Sequence, residues 1–259
     1  MDMTADAMHA RPSGMDEHEW RARLELAACY RLFDHLGWTE MIFNHLTLRL
    51  PGEAPTFLIN PYGLHYTEVT ARNLVRIDVD GRVLDDGAWP INPAGFVIHA
   101  AIHRVRHDAH CVMHTHTTAG VAVACKQSGL SHDNFYGAQF FGRVAYHDFE
   151  GVTTDLDEQT RLVASLGDRD VLILRNHGLL VTGGSVPEAF RTLWSLQRAC
   201  EIQLAAASMA GPDHVVPEAV LRSIPRQQQA MLVGQARPGQ AMFDAIVRRA
   251  GIRYEDLAA

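Results

Sequence analysis

Between residues 93 and 207 the hydrophobic period of the chain switches repeatedly between helix-like and strand-like spacing. "INPAGFVIHAAIHRVR" has helical spacing, with Asn92 placed as a cap and Pro93 at the first helical position, and predicts a helix running to about Arg106. "CVMHTH" reads as a buried strand, and "TTAGVAVACKQSG" as a helix ending at Gly129. "GRVAYHDF" is a further strand, and "DLDEQTRLVASLG" is an amphipathic helix capped by Asp155. "DVLILRNHGLLVTGG" predicts two strands around a tight turn at Gly178, and "SVPEAFRTLWSLQRACEIQLAAASMAG" a long helix with Pro187 in its first turn. Interleaving of this kind confines the chain to the α/β class.

The first third of the chain fits the same picture. Trp20, Leu24, Ala27, Ala28, Tyr30 and Leu32 form the stripe of a helix that Gly37 ends. "NHLTLRL" alternates with period two and "TFLIN" is rich in strand formers, with Pro51-Gly52 in the loop between them. "LVRIDVDGRVLDDG" predicts a hairpin turning at Asp80-Gly81. Weaker helical patterns cover residues 217–233 and 240–250. No Gly/Ser/Pro-rich linker or internal repeat divides the chain, so residues 16–259 are read as one domain behind a disordered tail over residues 1–15.

Several function classes drop out early. The net charge of −7 offers no basic surface for nucleic acid or an anionic membrane. No run of about 18 apolar residues predicts a membrane span, and the start of the chain lacks the features of a signal peptide. Cys29, Cys111, Cys125 and Cys200 are widely spaced without a CxxC pair, which suggests reduced thiols and a cytoplasmic protein. Neither GxGxxG nor GxxxxGK[ST] occurs.

The compositional oddity is histidine, present 15 times. On a strand, His114 and His116 point to one face with Cα atoms about 7 Å apart, close enough to converge on one ion. His177, in "RNHG" after an apolar strand, offers a third imidazole. Three imidazoles without thiolate suit Zn²⁺, Fe²⁺, Mn²⁺ or Co²⁺ in an open site. A rival set is His99, His103 and His107, spaced by four on one helix face. Ala100 stands where an HExxH protease has its glutamate, which favours packing of those histidines against the sheet. His147 in "AYHDFEG" fits either a supporting role or packing.

"GWTEMIFNHLTLR", "NPAGFVIHAAIH", "HCVMHTHT", "AYHDFEG" and "LRNHGLLVTGGSVPEAF" together resemble the class II aldolase/adducin family over roughly residues 20 to 210, with wording nearest its adducin-like branch. The resemblance implies a three-layer α/β/α fold around a central, mostly antiparallel sheet. It also implies a homotetramer and a divalent metal, Zn²⁺ before Fe²⁺, Mn²⁺ or Co²⁺, held by His114, His116 and His177. Asn44, Tyr62, Gly63, Asn92 and Gly95 fall at its substrate-binding positions. The aldolases' "PSSE" becomes "NPAG" here, so Gly95 takes the place of the metal-contacting glutamate, while Pro93 and Ala94 replace the two phosphate-binding serines. Tyr62 replaces a threonine, and the family's Gly-Asn pair becomes Asn44-His45 or Phe43-Asn44, depending on where an insertion falls.

These departures disfavour a sugar phosphate. They leave a metal-dependent lyase, of decarboxylase or aldolase type, acting on a small non-phosphorylated keto or aromatic acid, with His147 and Tyr136 as proton-transfer candidates. An Fe²⁺-dependent oxygenase is one alternative. A non-enzymatic adducin-like interaction module is another, disfavoured because the long basic tail of adducin has no counterpart before Ala259.

Overall fold

The computed structural model describes residues 3–52, 55–85, 89–151, 157–232 and 237–259. Seven strands form one sheet in the order β3-β2-β1-β4-β7-β6-β5. They are β1 (His45–Arg49), β2 (Thr56–Ile59), β3 (Val75–Asp78), β4 (Cys111–Thr115), β5 (Val144–His147), β6 (Val171–Leu174) and β7 (Gly178–Gly183). All neighbours are antiparallel except β5 and β6. All five residues of the central strand β4 are buried, as expected for a strand covered on both faces.

Alternation along β4 sorts its side chains between two layers. Cys111 and Met113 join the larger core, formed with α2 (Glu17–His35), α4 (Thr118–Ala124), α6 (Val186–Ala207) and α8 (Gln240–Arg249). Val112 joins a second core under α3 (Pro93–Val105) and α5 (Glu158–Leu166). Ala100 of α3 closes a third, small cluster on β2 and β3. The architecture is α/β/α around a mostly antiparallel sheet, the class expected from the sequence. α7 (Glu218–Leu232) and α8 occupy the two weak helical patterns near the end, before the short α9 (Tyr254–Leu257). Among the described residues no helix is long and apolar enough to cross a membrane.

Four local expectations need correction. Residues 3–15 are not a disordered tail: α1 (Ala5–His9) lies there, capped by Thr4, and Ala7 is fully buried. The cause is Trp20 on α2, whose buried indole N–H needs an acceptor and finds Ala7 O at 2.9 Å. The second arm of the 75–85 hairpin shrinks to a single bridge, Ile77 to Val83, although the turn forms with Gly81 at φ +83°. α4 stops at Ala124, where the N–H of Cys125 returns to Val121 O, and turns carry the chain on to Gly129. The tight turn before β7 is made by Asn176 at φ +57°, and Gly178 is already a strand residue. Asp155, expected to cap α5, lies outside the described residues.

Candidate metal centre

The end of the sheet that carries the start of β1 and the end of β4 is built from histidine. Antiparallel pairing sets His45 opposite His114. Alternation points both toward the α3 face, His116 follows on the same side, and the β6–β7 turn delivers His177. His116 Nε2 lies 2.7 Å from His114 Nε2 and 2.9 Å from His177 Nε2, and ligand atoms of all three fall within 4.8 Å of one another. Among the described residues no Asp, Glu or Cys joins this cluster.

The chemistry of this donor set fits a cation. His114 Nδ1 lies 2.9 Å from Leu179 O, an acceptor only, so Nδ1 carries the proton and Nε2 presents a lone pair. His116 Nε2 faces two other Nε2 atoms and has at most one proton to offer them. Burial keeps the rings neutral. His114 is held well below the usual imidazole range by desolvation and then by its neighbours, and His177 is pushed down to about 4 by burial and by His116. Desolvation lowers His116 as well. Neutral imidazoles with converging lone pairs are the ligands that Zn²⁺ and similar divalent ions take.

Gly178 makes the cluster possible. A Cβ there would meet Thr115 O at 2.3 Å and the His116 ring at 3.2 Å, so any side chain pushes β7 off β4 and His177 away from His116. Gly178→Ala is expected to cost about 1–3 kcal/mol of stability. It should also weaken metal binding by about tenfold or more, measured by urea titration and by competition with a metal chelator. A variant with unchanged metal affinity would show that this contact does not position His177.

The other expected site residues divide. Asn44 is fully buried and spends its side chain on scaffolding: Nδ2 donates to Trp38 O at 2.7 Å and Oδ1 accepts from the His116 N–H at 2.9 Å. The structure thus makes it a positioning residue for His116. Of the two registers weighed for this segment, His45 is the residue that faces the site. Tyr62 and Gly63 lie in the loop after β2, where the Tyr62 N–H donates to Pro90 O and ties that loop to the entry of α3; Gly63 has φ +100°. Asn92 precedes α3 and accepts from the Phe96 N–H through its carbonyl. Gly95 packs on His45: a Cβ would lie 2.7–3.0 Å from that ring.

The two proton-transfer candidates are not brought to the trio within this chain. His147 is 5% exposed and turned to α5, with Nδ1 3.0 Å from Ser165 Oγ and Nε2 3.5 Å from Glu158 and 3.7 Å from Glu150. Tyr136 packs against Trp194 of α6 and Phe135 in the opposite layer. A residue type in a single sequence does not say toward which neighbour its side chain turns. The rival helical set also resolves. His99 and His103 are fully buried and hydrogen-bond to β1, while His107 lies beyond α3 and is exposed. His45, named from the sequence only as one possible counterpart of the family's Gly-Asn pair, and Thr47, not singled out there, are the strand partners of that set. Their signal was the period-two spacing of "NHLTL" facing the period-four spacing of His99 and His103.

A seven-stranded, mostly antiparallel sheet between helical layers, with an HxH pair ending its central strand and a third histidine on the adjoining turn, defines a recognisable class of α/β/α protein. Residues 24–204 match the Class II Aldolase and Adducin N-terminal domain, and the chain belongs to that family. It is 41% identical over 252 residues to a protein of Pseudomonas aeruginosa that carries the provisional name aldolase class 2 protein, covering 94% of this chain and 95% of the relative. It is 45% identical over 205 residues to rat alpha-adducin, covering 78% of this chain and 28% of adducin. A crystal structure of an aldolase II superfamily protein from Pseudomonas syringae superposes with TM-score 0.87 at 41% identity, covering 95% of this chain and 98% of that one. L-fuculose 1-phosphate aldolase from Glaciozyma antarctica superposes with TM-score 0.77 at 25% identity, covering 95% and 96%.

Proposed function

We propose that this protein is a metal-dependent carbon–carbon lyase, of decarboxylase or aldolase type, acting on a small non-phosphorylated keto or aromatic acid. The observation that carries the reading is the convergence of three neutral imidazoles, His114, His116 and His177, with no carboxylate among them. When bound there, a divalent cation, Zn²⁺ in the first instance, supplies a Lewis acid for a carboxylate or keto oxygen of the substrate. Leu179 O keeps His114 in its ligating tautomer, and Asn44 holds the His116 backbone in place. The first turn of α3 has backbone N–H groups without helical partners, suited to a substrate carboxylate.

Membership of a class II aldolase family supports lyase chemistry, and the residues at the phosphate positions argue for a different substrate. Pro93 and Ala94 offer no hydroxyl, and Tyr62 is bulkier than the residue it replaces. Two missing hydrogen bonds to a charged group, at about 1.5–3 kcal/mol each, predict kcat/KM for fuculose- or ribulose-type phosphates about 10²–10⁴-fold below that of a dedicated aldolase. A homotetramer follows from the family resemblance alone. A cytoplasmic location agrees with four free cysteines, three of them buried.

Metal analysis of untagged protein purified without oxygen, followed by anaerobic assays of keto and aromatic acids for released carbon dioxide or aldehyde, tests the reading. Turnover that consumes one O₂ per substrate would replace it with the Fe²⁺ oxygenase. Failure to retain any divalent metal would favour the second reading, an interaction module, for which the 45% identity to alpha-adducin is the supporting observation.

A further inference from the structure

We propose that His45 is a further functional residue of this site: its Nε2 is held as a bare hydrogen-bond acceptor beside the histidine trio, for a hydroxyl on the bound acid. This deepens the lyase reading and rests on it for the identity of the ligand, but the state of His45 itself follows from the chain's own hydrogen bonds.

Four buried side chains link α3 to β1 in a row with one fixed end. His103 Nδ1 lies 3.1 Å from Ala109 O, and a carbonyl only accepts, so Nδ1 carries the proton. The ring is neutral in its buried setting and has no second proton. Its Nε2 therefore accepts, and Thr47 Oγ1 at 2.7 Å donates its single proton to it. The Thr47 oxygen, having donated, accepts from His99 Nδ1 at 2.7 Å. That fixes the only proton of neutral His99 on Nδ1, so its Nε2 accepts from His45 Nδ1 at 2.9 Å. His45 is left with its proton on Nδ1 and a lone pair on Nε2. Each link has one permitted direction because a backbone carbonyl sets the first. Thr47, His99 and His103 are fully buried, so solvent cannot reverse the order.

The free end of this row faces the candidate centre. The His45 ring lies 5.1 Å from that of His114, its cross-strand partner. Its Cδ2–Nε2 edge rests on Gly95 in the first turn of α3. No described residue hydrogen-bonds to Nε2, and that atom is not sealed from solvent, so a donor entering the site can reach it. Where the aldolases place a carboxylate, this chain therefore has glycine with an imidazole lone pair above it. An anionic oxygen finds no donor on that nitrogen, whereas a hydroxyl finds an acceptor. The substrate class narrows to acids that carry a hydroxyl close to the carboxylate.

Two readouts test this. Two-bond ¹⁵N–¹H correlation spectra of histidine-labelled, metal-free protein should show His45 protonated on Nδ1 only. In Thr47→Val, which keeps the shape but removes the hydroxyl that orders the row, a population of His45 with the proton on Nε2 should appear. In metal-loaded protein, glycolate should bind about tenfold more tightly than methoxyacetate, which keeps the carboxylate and oxygen but lacks the proton. That preference should shrink in Thr47→Val. Wild-type His45 protonated on Nε2 would overturn the proposal, and so would equal affinities for the two acids. The wild-type tautomer needs no variant, so it is decisive even if Thr47→Val fails to fold. A trio that holds no metal would appear in the metal analysis and leave the tautomer untouched, which separates failure of the lyase reading from failure of this one.

Discussion

His116→Ala should leave the purified protein with almost no bound divalent metal. Of the three rings, His116 is the one whose Nε2 lies within 3 Å of both others, so its loss removes the centre of the cluster rather than an edge. His114→Ala and His177→Ala should each lower affinity by orders of magnitude too, since two imidazoles and water make a weak site compared with three. His103→Ala is the informative control. His103 is a buried histidine on the same face of the sheet, but its two nitrogens are spent on Ala109 O and Thr47 Oγ1. That variant should lose stability, through a cavity and an unpaired hydroxyl, and still take up one metal per chain when folded. Elemental analysis after dialysis, with circular dichroism to establish folding, checks all four. Equal loss of metal from His103→Ala and His116→Ala would move the site away from the trio.

Acid should unfold the metal-free protein well above the pH at which carboxylates titrate. His45, His99, His103 and His114 are buried and neutral, held below the ordinary imidazole range first of all by desolvation. His103 is pushed down to about 3, by burial and then by the nearby Arg49 guanidinium. The sign follows from proton counting. In the unfolded chain a histidine takes up a proton near pH 6.5, while the folded chain refuses it. Stability is therefore fully present above about pH 6.5 and falls as pH drops toward the folded value. For His103 alone the loss between pH 6.5 and 5 is about 2 kcal/mol, and the other three histidines act in the same direction. Against a typical total of about 5–15 kcal/mol, a loss of this size is a large fraction of the stability. Urea titrations at pH 7.5, 6.5 and 5.5 should show a falling midpoint at constant slope. Stability that stays flat to pH 5 would mean that these histidines are already charged in the folded protein. Bound metal should shift the transition to lower pH, because it stabilises the deprotonated trio.

Much of this could be read from local sequence, and the reason is periodicity. The HxH pair had to share a strand face, Asn92-Pro93 had to start a helix, and the apolar "VLIL" had to be a strand with His177 just beyond its end. What was not legible depends on contacts between distant segments. α1 is held by an indole thirteen residues away and by Glu255 near the other end of the chain, so five residues of weak propensity gave no warning of it. The resemblance marks Asn44 as a substrate-binding position, and its bridge between the carbonyl of Trp38 and the N–H of His116 is a contact no local pattern announces. His147 turns to α5 and Tyr136 enters the opposite layer, placements that depend on packing between distant segments. The buried histidine row was half visible, since His99 and His103 were expected to pack on the sheet. That His45 and Thr47 receive them is not legible, because nothing in a single sequence pairs one stripe with another.

The contact between Gly95 and His45 has a historical side. With a Cβ at residue 95 falling 2.7–3.0 Å from the His45 ring, the two positions cannot drift independently. A lineage that places a side chain at residue 95 must first have lost the imidazole on β1, and one that gains the imidazole must already have glycine. The order of substitution is constrained even though fifty residues separate the two sites. Among relatives, glycine at residue 95 and histidine at residue 45 should therefore be inherited together.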